Sequence, residues 1–100
     1  MDPRPLTIVA IFRARPGQEE ALADALRAMP APTRLERGCL NYDLHRSNDD
    51  PALFFFHETW ASEDAHRAHL DTGHVRHLLT ITRDLLLEPI RELKGTLLED

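Results

Sequence analysis

The most informative stretch of the sequence is Phe54–His77, which reads FFFHETWASEDAHRAHLDTGHVRH. Its first seven residues are largely aromatic, which favours a strand, and they end at Trp60, the single tryptophan of the chain. The remainder has the spacing of a helix interrupted at Gly73, and it carries four histidines: His66, His69, His74 and His77. A strand end beside a broken helix can enclose a small pocket with apolar walls and a few convergent polar groups. We therefore expect the functional site in this stretch.

Size and composition indicate one globular domain. The chain has 100 residues and a net charge of -5, and its twelve lysines and arginines form no basic run. We therefore expect no direct nucleic-acid binding, which needs a basic footprint. The single cysteine, Cys39, cannot form an intramolecular disulfide. With no hydrophobic signal core and no apolar run of the roughly twenty residues that a membrane span needs, we expect a cytoplasmic protein that does not bind membranes.

The residue pattern predicts a βαββαβ order of elements. The expected strands are Leu6–Phe12, Leu40–Arg46, Leu53–Trp60 and Glu88–Leu97. The first helix is expected to run from Gln18 to near Pro30, followed by a helical turn over Thr33–Arg37 that ends at Gly38 in a left-handed conformation. The second helix is expected to begin at Ser62 and to break at Gly73, with a second piece that extends to Leu86. This order is typical of an α+β, ferredoxin-like plait.

Two of the predicted strands are apolar on both faces. In Leu6–Phe12 and Leu53–Phe56, apolar residues occupy successive positions instead of alternating with polar ones. The helices of a ferredoxin-like plait cover only one face of the sheet, and the other face would be a large exposed apolar patch on a monomer. We therefore expect a homodimer in which the sheets of two identical subunits pack together.

Several short motifs, taken together in this order, resemble the antibiotic biosynthesis monooxygenase (ABM) domains, a branch of the dimeric α+β barrel proteins. The matching motifs are Arg15-Pro16-Gly17, Glu36-Arg37-Gly38-Cys39, Asn41-Tyr42, Glu58-Thr59-Trp60, Ser62-Glu63-Asp64-Ala65, and His69 followed by His74. The resemblance covers about the whole chain, so residues 1–100 are interpreted as a single ABM-like domain.

The resemblance implies a dimeric α+β barrel with a pocket between the sheet and the helices of each protomer. ABM members of known activity oxidise quinols or aromatic polyketides with molecular oxygen and use no metal or flavin. Relatives isomerise small phosphorylated signals, and a sister branch degrades haem. That haem-degrading branch relies on an asparagine in the first strand, whereas Leu6–Phe12 contains none.

Helical geometry sorts the four histidines into two classes. With 100° per residue and Ala65 as the inward reference, His69 faces inward and His66 lies at the edge of the apolar face. On the next piece, His74 borders the apolar stripe and His77 points toward water. His69 and His74 are thus the candidate catalytic bases, and the alternative for each is a histidine at the edge of the core that bonds to the backbone. The position of His74 near a helix start favours a neutral imidazole.

Five further residues are candidates for substrate binding. Trp60 and Phe56 can form the walls of a pocket for a planar ring, although a tryptophan here can also be simple core. Glu58 shares their strand face and needs a partner, either for a structural hydrogen bond or for proton transfer. Asn41 and Tyr42 point to opposite faces of their strand, so we expect at most one of them to reach the pocket.

A metal site is the alternative interpretation of the histidines. His66 with His69 and His74 with His77 have the spacing of ligand pairs, but each pair has one inward and one outward member, which opposes convergence on one ion. The chain also has no glycine-rich nucleotide loop, nucleophile elbow or cysteine cluster. We therefore expect no metal, flavin or haem cofactor.

These observations favour a cofactor-independent monooxygenase that acts on small aromatic substrates. Removing a proton from a quinol-like or polyphenolic compound makes an anion that can itself reduce oxygen, so the protein need supply only a base, an apolar cavity and hydrogen-bond donors. The alternative is a non-catalytic dimeric barrel that binds a small aromatic or hydrophobic metabolite. Oxygen consumption on turnover distinguishes the two.

Overall fold

The structure is a computed structural model that describes residues 4–99. Along that range the elements are β1 (Leu6–Arg13), α1 (Glu19–Arg27), α2 (Pro30–Thr33), β2 (Cys39–Arg46), β3 (Leu53–Trp60), α3 (Glu63–Leu70), α4 (Gly73–Thr82) and β4 (Arg91–Thr96). The strands form one antiparallel sheet in the order β2-β3-β1-β4. This is the α+β, ferredoxin-like plait that the sequence predicted. The pairing of two such sheets into a barrel stays a prediction.

The two faces of the sheet differ in how well they are covered. Alternate residues of β1 and β3 are buried beneath the helices: Ile8, Ala10, Phe12, Phe54, Phe56, Glu58 and Trp60. On the opposite face, Val9, Ile11 and Phe55 are only partly covered. The covered face is therefore the floor on which any site between sheet and helices must be built.

The connection between α1 and β2 differs from the predicted one. The expected helical turn over Thr33–Arg37 instead lies at Pro30–Thr33, with Pro30 at its first position. Proline begins a helix readily, because its missing N–H has no intrahelical partner in the first turn. Gly38 has the predicted left-handed backbone, with φ at 85°.

Strand β2 contains an irregularity that its alternating pattern did not reveal. The pairing register with β3 shifts between Cys39 and Asn41, so that Leu40 is an extra residue. Leu40 is 59% exposed, because the bulge leaves it off the buried face that Tyr42 occupies. Tyr42 itself is buried, beyond the point where the regular register resumes.

Two hydroxyl side chains define the broken helix. Ser62 caps α3 as predicted, because its Oγ accepts a hydrogen bond from the backbone N–H of Ala65 at 3.1 Å. Thr72 caps α4 in the same way and accepts from the N–H of Val75 at 3.3 Å. The break is therefore a new helix start at Thr72, and Gly73 is simply the first residue of α4.

The C-terminal elements are shorter than predicted. Helix α4 ends at Thr82, so Leu85 and Leu86 pack against the core from the following segment and do not continue the helix. Strand β4 begins at Arg91, and Pro89 precedes it, since proline cannot donate to a strand ladder. In the part of the chain described here, no helix is long and apolar enough to cross a membrane.

Candidate active site

A cavity of about 100 Å³ lies between the sheet and the helices α3 and α4. Its lining is largely apolar and includes Phe56, Val75 and Leu78. The polar part of the lining consists of five side chains: Tyr42, Glu58, His66, His69 and Glu92. An apolar chamber with a few titratable groups can hold a small ligand and control its protonation.

His69 is buried at the end of α3 and lines this cavity. Its Nδ1 atom lies 2.7 Å from Oε2 of Glu36, and a carboxylate can only accept, so the imidazole proton belongs on Nδ1. The ring packs against Trp60, with centroids 4.7 Å apart, and against Tyr42 at 5.5 Å. Burial lowers the pKa of His69, while the hydrogen bond that its ring donates to Glu36 opposes that effect. A neutral, oriented imidazole is the resulting form at neutral pH.

Glu36 is a site residue that the sequence analysis missed. It lies in the segment between α2 and β2, and its Oε2 atom is 2.7 Å from both His69 Nδ1 and His74 Nε2. The sequence pattern predicted a helical turn over Thr33–Arg37, and a single turn is too short to fix the direction of a side chain. The one signal in the sequence that points to Glu36 is its place in the motif Glu36-Arg37-Gly38-Cys39.

His74 and His69 bond to the same oxygen of Glu36, but His74 does not line the cavity that His69 lines. It lies in the first turn of α4, and its side chain is 25% exposed. On its other side is a larger groove of about 470 Å³ between α1 and α4, lined mainly by apolar residues such as Ala25, Met29 and Leu78. The two predicted bases therefore share a carboxylate but face different spaces.

Glu58 is a buried carboxyl group in the wall of the cavity. Its Oε1 atom accepts a hydrogen bond from the indole N–H of Trp60 at 2.8 Å. Burial raises the pKa of Glu58 to about 7, opposed by the Trp60 bond and reinforced by the negative charges of Glu92 and Glu36. At neutral pH this group is therefore divided between a carboxylic acid and a carboxylate.

Two of the aromatic candidates line the cavity, and the third packs behind its lining. Phe56 and Tyr42 both line the cavity and stack on each other with ring centroids 4.5 Å apart. Burial and the charge of Glu58 raise the pKa of Tyr42, so its phenol stays neutral and can donate a hydrogen bond. Trp60 is fully buried and is not part of the lining. It supports the site indirectly, by holding Glu58 and packing on His69.

The prediction that His66 lies at the edge of the apolar face of its helix was wrong. His66 is 3% exposed and lines the cavity, with its Nε2 atom 3.8 Å from Oε2 of Glu92. Residues three apart lie on the same helix face, so His66 and His69 both point at the sheet. The reference, Ala65, is only partly buried and lies against Gly38 instead. Burial lowers the pKa of His66, which is therefore mainly neutral.

His77 is exposed, in accord with the prediction.

Asn41 lies on the opposite face of the sheet from the cavity. Its amide nitrogen donates to the backbone carbonyl of His57 at 2.9 Å. Tyr42 is thus the member of this pair that reaches the cavity. Asn41 does not line the space between sheet and helices, because successive strand residues point to opposite faces.

Comparisons with known proteins agree with this architecture. A sequence model of the antibiotic biosynthesis monooxygenase family matches residues 5–80. The chain is 36% identical over 86 residues to the Mycobacterium tuberculosis protein named "Putative monooxygenase Rv0793". The aligned residues make up 86% of this chain and 84% of that protein. The solved structure of Rv0793 aligns with 31% identity and a TM-score of 0.89, covering 96% of this chain and 97% of that one.

Two further solved structures are similar along nearly the whole chain. PA3566 from Pseudomonas aeruginosa aligns with 36% identity and a TM-score of 0.93, covering 99% of both chains. SO0527 from Shewanella oneidensis aligns with 28% identity and a TM-score of 0.87, covering 92% of this chain and 89% of that one. The family match extends over most of the sequence, and the relatives share its fold from end to end. The chain therefore belongs to the antibiotic biosynthesis monooxygenase family.

Proposed function

We propose that this protein oxidises small quinol-like phenols with molecular oxygen, without a cofactor, in the cavity between its sheet and the helices α3 and α4. The observation that carries the proposal is the hydrogen bond between Glu36 and the Nδ1 atom of His69, whose ring lines that cavity. This bond sets the tautomer of the imidazole. It leaves Nε2 as the nitrogen that can take a proton from a bound hydroxyl group.

The neighbouring polar groups suit a reaction that generates an anion. When His69 takes the phenol proton, Glu36 stabilises the imidazolium that results. Glu58 in its protonated form and Tyr42 can each donate a hydrogen bond to the phenolate oxygen, and the apolar lining strengthens such bonds by excluding water. In this assignment His69 is the base and Glu58 and Tyr42 are the donors, and His66 and Glu92 complete the polar lining of the chamber.

The atoms and electrons of the reaction balance with phenol and oxygen alone. The phenolate gives one electron to dioxygen, and the resulting radical pair forms a carbon–oxygen bond at a ring carbon that carries a hydrogen and lies ortho or para to the hydroxyl group. His69 returns its proton to the peroxide. Loss of the ring hydrogen and cleavage of the oxygen–oxygen bond then leave a quinone and one water molecule. The protein need only move protons and hold the ring.

The size of the cavity favours substrates with a single ring. An enclosed apolar cavity of roughly 150 Å³ is enough for benzene, whereas the cavity here is about 100 Å³. A single hydroxylated ring requires only small side-chain movements, but a fused polycyclic phenol requires the helices to separate. We therefore expect activity on one-ring phenols to exceed activity on polycyclic ones.

Oxygen uptake with purified protein tests the proposal. The substrates are hydroquinone, catechol and a polycyclic polyphenol, and the variants are His69→Ala and Glu36→Gln, with His77→Ala as the exposed control. Loss of a catalytic base lowers rates by about 10²–10⁴-fold, so we expect His69→Ala to lose at least about 10²-fold while His77→Ala keeps wild-type turnover. If these compounds bind but the protein consumes no oxygen above background, the proposed monooxygenase activity is refuted. The alternative, a non-catalytic barrel that binds a ligand, then stands.

A further inference from the structure

We propose that Glu36, His69 and His74 form a binding site for a divalent transition-metal ion such as Zn²⁺. One ligand atom from each of the three residues lies within 4.8 Å of the other two. Oε2 of Glu36 is the common point, 2.7 Å from His69 Nδ1 and 2.7 Å from His74 Nε2. Along the sequence, ligand spacing is visible only for the histidine pairs within each helix piece. The structure instead brings one histidine from each piece to a carboxylate from elsewhere in the chain.

The two contacts of Glu36 are close in length to the ligand separations of a metal site, and the two histidine nitrogens lie within 4.8 Å of each other. Zinc bonds to nitrogen and oxygen of about 2.0–2.2 Å place tetrahedral ligand atoms about 3.3 Å apart. The two contacts of Glu36 would therefore have to lengthen by about half an ångström when an ion replaces the hydrogen bonds. Glu36 belongs to neither a helix nor a strand, so its side chain can make that adjustment without moving the sheet.

The fold fixes the two histidines relative to each other. The hydroxyl group of Thr72 donates to the carbonyl of His69 at 2.8 Å and accepts from the N–H of Val75 at 3.3 Å. The backbone N–H of Thr72 also bonds to the His69 carbonyl, at 3.1 Å. The end of α3 and the start of α4 are thereby held together. Ligands positioned in advance lose less conformational entropy when an ion binds.

The donor set indicates the class of ion. Two imidazole nitrogens and one carboxylate oxygen suit Zn²⁺, Co²⁺ or Fe²⁺, whereas Ca²⁺ and Mg²⁺ prefer oxygen ligands. Glu36 and His69 are almost covered, but the His74 side chain is 25% exposed beside the groove between α1 and α4. The exposed side of His74 offers an entry path for the ion and room for a water molecule as a fourth ligand.

Metal binding and the proposed oxidation should exclude each other, a consequence that rests on the proposed function. An ion on Nδ1 of His69 takes the place of the proton there. The proton of the neutral ring must then reside on Nε2, which turns the proposed base into a donor. We therefore expect Zn²⁺ to inhibit oxygen uptake at the concentrations at which it binds.

Titration of protein treated with EDTA and dialysed tests the site directly. Calorimetry with ZnCl₂ and visible absorption with CoCl₂ should both give one ion per chain, without any substrate present. Glu36→Gln, His69→Ala and His74→Gln should each lower the affinity by at least about tenfold. His77→Ala, on the same helix as His74 but exposed, should bind as wild type does. Circular dichroism checks the fold of each variant, and His74→Gln is the mildest because His74 is the most exposed of the three.

Three outcomes overturn the metal site: no saturable binding to the wild-type protein, binding that survives all three ligand substitutions, or binding that is lost in His77→Ala. Binding that depends on the three ligands supports the site whatever the activity assay shows. If such binding leaves oxygen uptake unchanged, the site stands and His69 is not the base. The two proposals can thus fail separately.

Discussion

At the scale of single residues, the site depends on carboxyl groups that the fold has removed from water. The carboxylate of Glu36 accepts hydrogen bonds from the imidazoles of His69 and His74. The carboxyl group of Glu58 accepts a hydrogen bond from the indole of Trp60 and lines the cavity. Removal from water disfavours the charged form of a carboxyl group unless hydrogen bonds or positive charges compensate. Glu58 has one such bond, from Trp60, and its pKa still rises to about 7. Its protonation state therefore changes near neutral pH.

The first prediction concerns the cost of burying Glu58. The pKa of this carboxyl group rises from 4.5 to about 7 on folding. Its burial therefore does not lower the free energy of unfolding below pH 4.5, where the group is protonated in both states, and lowers it by about 3 kcal/mol above pH 7. Glu58→Gln keeps an oxygen for Trp60 but carries no charge. We expect it to increase the free energy of unfolding by about 2–3 kcal/mol at pH 8 and by much less at pH 5, measured by urea denaturation. An equal change at both values would contradict the burial argument.

The second prediction concerns the pH dependence of oxygen uptake. Because burial lowers the pKa of His69 below its ordinary value of 6.5, the base is lost only as the pH falls below that value. Glu58 must be protonated to donate, so activity should also fall as the pH rises through about 7. We expect a bell-shaped profile of kcat/KM. In Glu58→Gln the alkaline limb should disappear while the acid limb remains, and a profile with an unchanged alkaline limb would remove Glu58 from the mechanism.

At the scale of elements, the close contact between the start of β2 and α3 positions the site. Gly38 has φ at 85°, and a Cβ atom there would lie 2.6 Å from the Cβ of Ala65 in α3. The carbonyl of Gly38 also accepts a hydrogen bond from the N–H of Ala61. This close approach brings the Glu36 segment within reach of His69. Gly38 is thus required for two reasons, its left-handed backbone and the space beside α3.

The third prediction separates these two reasons with a matched pair of glycines. Gly17 also has a left-handed backbone, with φ at 87°, but nothing lies within 4 Å of a Cβ placed on it. Gly17→Ala should lower the free energy of unfolding only by the backbone strain, about 1–2 kcal/mol. Gly38→Ala should cost roughly 1–3 kcal/mol more, because the added methyl group overlaps Ala65. Thermal denaturation of both variants measures the difference, and equal losses would show that the contact with α3 is unimportant.

At the scale of the whole molecule, no helix within residues 4–99 covers the outer face of the sheet. Val9, Ile11 and Phe55 lie on that face and are only partly covered, and Leu93 of the neighbouring strand β4 is 52% exposed. The helices already occupy the opposite face. An apolar face of this kind is more stable against a second apolar surface than in water.

The fourth prediction is therefore a homodimer that forms through this face. Light scattering at micromolar concentration should give twice the mass of 11.4 kDa. Ile11→Asp should shift the protein toward a monomer, because it places a charge in the apolar face. Arg76→Asp, an exposed position on α4 away from the sheet, should leave the dimer intact. A monomeric wild-type protein would contradict the prediction.

Much of the architecture could be predicted because it follows from local rules. The apolar runs of β1 and β3, the cap at Ser62 and the left-handed turn at Gly38 each depend on the chemistry of a few adjacent residues. The errors fall where a distant contact prevails over a local pattern. The bulge at Leu40 depends on pairing with β3, and the length of α4 depends on how the following segment packs.

Periodicity and capping act between near neighbours, so the order of strands and helices, the apolar faces and the stretch that contains His69 can all be deduced from the amino-acid sequence. The contact of Glu36 with His69 and His74, which lie 33 and 38 residues further along the chain, forms only when the elements pack together. The burial of His66 beside Glu92 arises in the same way. A side chain between two elements has no periodic signature, so its partners are known only when the packed elements bring them together.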